Sequence, residues 1–422
     1  MRRLIIVLLL LATGGIATWL LTRARSPVVQ NPVVSVGPAT TRPLMAACGH
    51  HVVFVAPDGT VWVWGADAPN GAVEPSLPAD PRPWKLSDER GWQAIATGYF
   101  FTAGIKTNGT LWLWGTLHSP TGVQPRTPTS PRQVDEATNW VSVGAGSQSV
   151  CALKSDGTLW TWGANHKSQP GDGTGRPSTK PIRLDEATNW VKVAAAGYHT
   201  LGLRRDGTLW VWGSDPLAGS GGWPAQVGRE TNWVDIACAE FLSVARQVDG
   251  RCWAWGNTNV AGVWFAWPSL QSGSLTQIPT NLNWRTSAGG GGYLLLLTED
   301  GRLRVWGSHY PDKLGRGTSD ASSATAGLPV QVGDRLDWGD VAAAGDLSYG
   351  LTADGQVWAW GIRLDRAQFK RSLSDTVSTF FAVLMGRGSR SRGIFTAAST
   401  PIPEPLFRFV CATNTTADFQ NR

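Results

Sequence analysis

The stretch Asp58-Gly-Thr-Val-Trp-Val-Trp-Gly65 decides the fold, because close copies of it recur through most of the chain. Each copy has an acidic or amide residue, Gly, a short spacer, two tryptophan positions separated by one residue, and a final Gly. Six further copies lie at residues 108–115, 156–163, 206–213, 249–256, 300–307 and 354–361. The first glycine recurs at steps of 50, 48, 50, 43, 51 and 54 residues. A period of this size indicates a solenoid, a propeller or an array of repeated units.

The chemistry of one copy indicates a β-hairpin. Asp-Gly or Asn-Gly between two apolar stretches is a strong hairpin signal, because the primed turns need positive φ at their central residues. After the turn, Trp160 and Trp162 are two residues apart, so on a strand they face the same way. Leu159 and Thr161 face the other way, and a strand that is largely apolar on both sides is expected to be covered on both sides.

Two further segments complete each period. A Trp-led strand rich in small residues, such as 190–197, precedes the hairpin, and a Pro-led strand, such as 181–184, follows the next loop. Four short antiparallel strands per period are the content of a propeller blade. The seven copies therefore predict an all-β fold, a seven-bladed β-propeller of four-stranded antiparallel blades, over residues 44–361.

These residues resemble a known repeat family. Val193-Ala-Ala-Ala-Gly197 with His199, then Asp206-Gly-Thr-Leu-Trp-Val-Trp-Gly213, and Gly171-Asp-Gly-Thr174 in the preceding loop, are similar to the repeat of the regulator of chromosome condensation family. The resemblance covers roughly residues 32–361 and implies a seven-bladed propeller. It does not imply the nucleotide-exchange activity of the founding member, since a fold does not fix a function.

The N-terminal residues 1–25 are predicted to be a membrane anchor or a signal. Residues 4–21 are apolar and uncharged, and 18 residues at about 1.5 Å each approach the thickness of the hydrocarbon core. A cleaved secretory signal is the alternative. We expect a single-pass transmembrane helix, a linker with a candidate closing strand at residues 26–43, and a propeller displayed outside the cytoplasm of a bacterial-type cell. If the N-terminus is cleaved, the protein is secreted.

The C-terminal part leaves the repeat. Residues 362–400 carry seven Lys and Arg against two Asp, which is nearly the whole formal charge of +6, and are predicted to be a basic insertion or loop. Residues 401–422 contain a strand and a tail. Pro-led strands precede the first hairpin and follow the last one, so there is one more candidate than seven blades need. One of the two terminal strands must be peripheral.

Five cysteines show no metal-binding spacing. Small buried thiols are the expectation for those in strands. A disulfide between Cys48 and Cys411 is an alternative, if the C-terminal strand closes the ring beside blade 1 in an oxidising compartment.

No catalytic, metal or cofactor motif is present in the sequence. It contains no HExxH, GxSxG or P-loop pattern, and its carboxylates fall mainly at turn positions. The expected protein is not an enzyme, holds no cofactor, binds no nucleic acid and is a monomer. An enzyme whose site is assembled from separate blades is the least favoured alternative.

One end of the propeller is expected to bind a partner. The turn after each small-residue strand and the loop after each Trp-Gly share this end, and exposed aromatic residues supply binding hot spots. The candidate residues are Trp264, Phe265, Trp267, Tyr99, Phe100, Tyr198, His199, Tyr293, His309 and Tyr310. The sequence thus favours a protein-binding propeller. An envelope polysaccharide binder, a secreted inhibitor-type propeller and an exchange factor are alternatives.

Two departures from the repeat stand out. Arg304 occupies a motif Trp position, where its stem can cover apolar surface. Glu240 stands where blade 4 has Gly197, and it is expected to pair with a base at the binding end.

Overall fold

The computed structural model describes residues 33–36, 44–48, 51–65, 83–115, 117, 130–165, 167–218, 222–256, 274–307, 329–345, 347–363 and 398–411. These residues form 29 strands in seven sheets, one sheet per blade. Strands are numbered β1 to β29 in chain order. The predicted all-β, seven-bladed propeller with antiparallel four-stranded blades is confirmed.

The first strand of each blade lies innermost. In blades 2 to 7 this strand begins with a buried Trp, in blade 1 it begins with Leu44, and its small residues line the axis of the ring. These strands are β2 (Leu44–Cys48), β6 (Trp92–Thr97), β10 (Trp140–Ala145), β14 (Trp190–Ala196), β18 (Trp233–Ala239), β22 (Trp284–Gly289) and β26 (Trp338–Ala344). Each inner strand contacts the inner strands of both neighbouring blades, and β26 contacts β2. The ring is therefore closed.

The second and third strands form the hairpins of the motif. The second strands are β3 (His51–Val55), β7 (Phe101–Lys106), β11 (Ser149–Lys154), β15 (His199–Arg204), β19 (Leu242–Gln247), β23 (Tyr293–Thr298) and β27 (Leu347–Thr352). The third strands are β4 (Val61–Gly65), β8 (Leu111–Gly115), β12 (Leu159–Gly163), β16 (Leu209–Gly213), β20 (Arg251–Gly256), β24 (Leu303–Gly307) and β28 (Gln356–Arg363).

The fourth strands are the outer ones, and several are short. They are β5 (Trp84–Ser87), β9 (Arg132–Gln133), β13 (Ser178–Arg183), β17 (Ala225–Gln226), β21 (Thr276–Asn281), β25 (Val330–Gln331) and β29 (Ala398–Cys411). In blade 7, β29 pairs antiparallel with β28, and β1 (Val33–Val36) adds a fifth strand parallel to β29. The C-terminal strand therefore completes the last blade, and the N-terminal strand is the peripheral one.

Side chains of the motif explain its residue types. In copy three, Asp156 Oδ1 accepts hydrogen bonds from the Thr158 backbone N–H at 3.0 Å and from Thr158 Oγ1 at 2.7 Å. Thr158 Oγ1 in turn accepts a bond from Trp160 Nε1 at 2.9 Å. The glycine of the turn has φ of 78°, in the region where a side chain is strained. The eight residues are thus a hydrogen-bonded hairpin tip.

The two motif tryptophans have different environments. The second one is buried between blades, as Trp162 and Trp212 show, and both are 0% exposed. The first one is half-buried and meets the leading Trp of its blade edge-on, with ring centroids 6.2 Å apart for Trp140 and Trp160. Arg304, in place of a first Trp, is also half-buried. The predicted framework role of the motif tryptophans is confirmed.

The cysteines divide into two groups. Cys151, Cys238 and Cys252 are buried thiols, as expected, and burial raises their pKa values, for Cys151 to about 12. Cys48 ends inner strand β2 at one end of the ring, whereas Cys411 ends outer strand β29 at the opposite end. Strands lie about 4.8 Å apart, and a disulfide needs Cα atoms within about 7 Å. The alternative of a Cys48–Cys411 disulfide is therefore wrong.

The membrane helix expected at residues 4–21 lies outside the described residues. Within the described ranges, no helix is long and apolar enough to cross a membrane. The basic insertion is likewise outside them from residue 364 to residue 397.

Candidate partner-binding site

The antiparallel pairing defines two ends of the propeller. The end that carries the turns between first and second strands and the loops after third strands is called the loop end. The opposite end, with the Asp-Gly turns, is called the turn end. A central cavity of about 780 Å³ lies between the inner strands, and alanine and glycine are the commonest residues in its wall. The small residues that let the blades approach one another also leave this space on the axis.

Backbone hydrogen bonds link the turns around the mouth of this cavity at the loop end. The N–H of Tyr99 donates to Ser147 O at 2.9 Å, and the N–H of Ser147 donates to Gly197 O at 2.7 Å. On the other side, the N–H of Glu240 donates to Gly290 O at 3.2 Å. A Cβ on Gly197 would lie 2.7 Å from Glu240 O, so glycine is required where blades 4 and 5 meet. The mouth is a rigid rim.

Tyr99 lies across this rim. It belongs to blade 2, and its hydroxyl donates a hydrogen bond of 3.1 Å to Glu240 Oε1 of blade 5, on the far side of the ring. Burial raises the pKa of Tyr99 well above its usual value, and the Glu240 carboxylate raises it further, so the phenol remains a donor. Phe100 packs edge-on against it, with centroids 6.3 Å apart. The Glu240 carboxylate thus accepts a hydrogen bond from a tyrosine across the ring.

The candidate aromatic residues fall into three groups. Tyr99, Phe100 and Tyr198 are half-buried at the loop end, as the strand directions predict. His199 and Tyr293 are 4% and 0% exposed, so their side chains offer no surface to a partner, and this part of the expectation is corrected. Trp264, Phe265, Trp267, His309 and Tyr310 lie outside the described residues.

His199 and Tyr293 are buried because each begins a second strand and points at the next blade. His199 Nε2 lies 2.9 Å from Ser243 Oγ, and Ser243 Oγ donates to Asp215 Oδ2 at 3.3 Å. Burial lowers the pKa of His199, although Asp215 acts in the opposite direction. The order of this trio places serine between histidine and aspartate, and the group is buried. It joins blades 4 and 5 and does not form a nucleophile–base arrangement open to substrate.

Trp223 is an exposed aromatic residue that the sequence reasoning missed. It is 57% exposed in the loop after the third strand of blade 4. Its ring lies over Gly173, where a Cβ would come within 2.2 Å of Trp223 Cε2, and the N–H of Gly173 donates to Gly222 O at 3.2 Å. Asp172 accepts bonds from Asn165 Nδ2 and the Thr174 N–H. The sequence feature that could have identified Trp223 as exposed is its position outside the eight-residue motif, immediately before a Pro-led strand.

The described part of the chain contains no candidate metal site. No group of three or more His, Cys, Asp or Glu side chains there could hold an ion.

Comparison with known proteins agrees with the repeat and the fold. Residues 140–169 and 156–203 each match the family Regulator of chromosome condensation (RCC1) repeat. The chain therefore carries RCC1 repeats within a seven-bladed propeller, as the resemblance in the sequence predicts.

Several solved structures are similar to this fold. Human WBSCR16 has a TM-score of 0.58 at 16% identity, over 77% of this chain and 88% of that one. Prp20p from Saccharomyces cerevisiae has a TM-score of 0.57 at 18% identity, over 78% and 82%. Yeast RCC1 (Prp20) bound to Kap60 has a TM-score of 0.58 at 17% identity, over 80% and 86%. At these identities the likeness concerns the fold.

Proposed function

We propose that this chain is a non-enzymatic protein-interaction propeller that binds a protein partner through aromatic side chains at the loop end. The observation that carries the proposal is Trp223, which is 57% exposed and whose ring lies over Gly173 of the neighbouring blade 3 loop, where Asp172 accepts hydrogen bonds from Asn165 and Thr174. A rigid, exposed indole loses little entropy on binding, and tryptophan is enriched among binding hot spots. Tyr198 and Phe100 add half-buried aromatic surface at the same end.

The behaviour of similar propellers supports a protein partner. Prp20p of yeast is described with binding properties to Gsp1p and histones, and yeast RCC1 (Prp20) is seen bound to Kap60. We carry over the mode, protein binding, and none of these partners. We also propose that Trp264, Phe265 and Trp267, which lie outside the described residues, contact the partner.

The apolar residues 4–21 support display on a membrane, with the propeller on the extracytoplasmic side. This part of the proposal is independent of the binding surface. Protease protection of the propeller in right-side-out vesicles would contradict it, whereas cleavage by added protease is the expected result.

Site-specific photo-cross-linking tests the binding surface. A photoreactive phenylalanine analogue replaces Trp223 at the loop end or, as a matched control, Val248 at the turn end, which is 70% exposed. We expect a discrete protein adduct from position 223 and none from position 248. The triple variant Trp264→Ala, Phe265→Ala, Trp267→Ala should weaken the adduct, since loss of one hot-spot residue costs about 2 kcal/mol or more.

Two outcomes would redirect the proposal. An adduct from position 248 alone would move binding to the turn end. Competition of the adduct by oligosaccharides would favour the polysaccharide-binding alternative, because sugars also stack on exposed tryptophan.

A further inference from the structure

Trp223 lies where two loops of the loop end meet. These loops follow the third strands of blades 3 and 4 and comprise residues 164–177 and 214–224. The Trp223 ring lies over Gly173 of the first loop. A Cβ on Gly222, next to Trp223, would lie 3.1 Å from Ser168 Oγ, also of the first loop. Charged side chains of both loops therefore belong to the same surface as the indole.

By sequence the two loops are electrically balanced. They contain the cations Lys167 and Arg176, the carboxylates Asp172 and Asp215, and His166, which lies outside the described residues. With histidine neutral, the formal charges of the two loops cancel. The sequence thus gives this surface no preference for either sign of charge, and the positions of the side chains determine it.

Both carboxylates are buried and hydrogen-bonded inside the protein. Asp172 is 6% exposed, and its Oδ1 accepts bonds from Asn165 Nδ2 at 2.8 Å and from the Thr174 N–H at 3.1 Å. Asp215 is 9% exposed, and both of its oxygens lie within 3.2 Å of Trp255 Nε1. Internal donors occupy these oxygens, so a partner at the surface contacts neither carboxylate.

Both cations are on the outside. Lys167 and Arg176 are exposed, and neither forms an ion pair with a carboxylate of the described residues. Lys167 immediately precedes Ser168, which lies against the Trp223 loop. Arg176 is three residues beyond the glycine under the indole, and three residues span at most about 10 Å. The structure therefore places two unpaired cations within reach of a segment that packs on Trp223.

We infer that the segment of the protein partner that packs on Trp223 is acidic, with carboxylates next to an apolar side chain. The apolar side chain would cover the indole, and the carboxylates would meet Lys167 and Arg176. An arginine guanidinium matches a carboxylate with two parallel hydrogen bonds. This inference rests on the proposed protein-binding role of the loop end and gives the chemistry of the partner at one position.

Nucleic acid is the less favoured occupant of this surface. Single strands also combine stacking with negative charge, but their binding sites follow the phosphate backbone with a positively charged groove. The two loops supply two cations on one side of the ring, which suits a short acidic segment.

Fluorescence anisotropy with a defined peptide tests the inference on the full-length protein. The probe carries an uncharged dye and one leucine between two runs of glutamate, and the control probe has glutamine in place of each glutamate. We expect saturable binding of the glutamate probe and several-fold weaker binding of the glutamine probe. The affinity for the glutamate probe should fall several-fold between about 0.1 M and 1 M salt, over which the Debye length shortens from about 10 Å to about 3 Å.

Charge reversal locates the binding. Arg176→Glu should weaken binding of the glutamate probe several-fold, and Lys167→Glu with Arg176→Glu roughly 10-fold, because weak attractions become repulsions. Trp223→Ala should cost roughly 10–30-fold, the range for a binding hot spot. Arg205→Glu, the same change at an exposed arginine of the turn end, is the matched control and should bind as wild type.

Three outcomes overturn the inference. They are no binding of the glutamate probe, equal affinity of the double variant and wild type, and tighter binding of oligothymidylate at the same side chains, which would favour single-stranded nucleic acid. The cross-linking at position 223 is read separately from this titration. A protein adduct whose yield is unchanged in the double variant removes the acidic segment and keeps the protein-binding role.

Discussion

At the scale of the residue, copies one to four of the motif share a chain of side-chain hydrogen bonds, in which the first Trp donates to the Thr hydroxyl and the hydroxyl donates to the Asp or Asn side chain. Copies six and seven lack the Thr after the turn, and a Thr before the turn takes its place. Thr298 Oγ1 donates to Asp300 Oδ1 at 2.5 Å, and Thr352 Oγ1 donates to Asp354 Oδ1 at 2.5 Å. The position of the hydroxyl therefore varies between copies, and copy five has none: Asp249 there accepts hydrogen bonds from the backbone N–H and the guanidinium of Arg251.

The Asp300 carboxylate should give the propeller part of its acid sensitivity. The hydrogen bond from Thr298, with further bonds from Arg302, lowers the pKa of Asp300 from 3.8 to about 2. A lowered carboxyl pKa stabilises the fold above the unfolded-state value, and the stabilisation is lost as pH falls through the folded-state value. Asp300→Asn should thus reduce the unfolding free energy at neutral pH, and its difference from wild type should shrink between about pH 4 and 2.

Denaturant unfolding at several pH values measures this effect. Glu299→Gln, a change at the neighbouring exposed carboxylate, serves as the control. A difference between wild type and Asp300→Asn that stays constant down to pH 2 would contradict the assignment.

At the scale of the element, the first residue of each second strand determines how neighbouring blades are joined. Tyr293 of blade 6 donates to Leu347 O at 2.8 Å and accepts a bond from Ser348 Oγ of blade 7 at 2.9 Å. Blades 2 and 3 use an apolar pair at the same place, Phe101 with Val150. The ring thus contains both polar and apolar joints on the same backbone arrangement.

Removal of one member of the polar joint should be costly. Tyr293→Phe leaves Ser348, which is 0% exposed, without this acceptor, so we expect a loss of about 1–3 kcal/mol in unfolding free energy. The double variant Tyr293→Phe, Ser348→Ala should lose less than the sum of the two single variants, because it removes both polar groups. Equilibrium denaturation of the four proteins measures the coupling. Additive losses would show that the two hydroxyls act independently.

The contacts between blades could not be predicted from the sequence, whereas the strands themselves could. The hairpins and the order of strands follow from Asp-Gly turns and period-two patterns, which are local. Tyr198 is half-buried and its neighbour His199 is buried, because β15 begins between them, at His199. A shift of one residue on a strand reverses the face of a side chain, so both residues fit the same turn in sequence. Trp223 depends on contact with a loop of another blade, which no local pattern records.

At the scale of the whole molecule, ring closure joins residues nearly 300 positions apart, such as Met45 and Asp340. β29 pairs with β28 along most of its length, whereas β1 pairs only with the last four residues of β29. Both terminal strands resemble fourth strands in sequence, so local patterns could not rank them. The ring is also closed at the axis, where the Met45 N–H donates to Asp340 Oδ2 at 3.0 Å between blades 1 and 7.

Strand deletions should separate the two termini. Removal of residues 398–422 takes away β29, which is also the strand that pairs with β1, and leaves the edge of β28 unpaired. We expect this protein to lose its cooperative thermal transition, followed by the fluorescence of its 24 tryptophans. Removal of residues 1–36 should preserve the transition with a small fall in Tm relative to removal of residues 1–32, which keeps β1. If loss of β1 alone abolished the transition, the N-terminal strand, and not β29, would be the one that closes the ring.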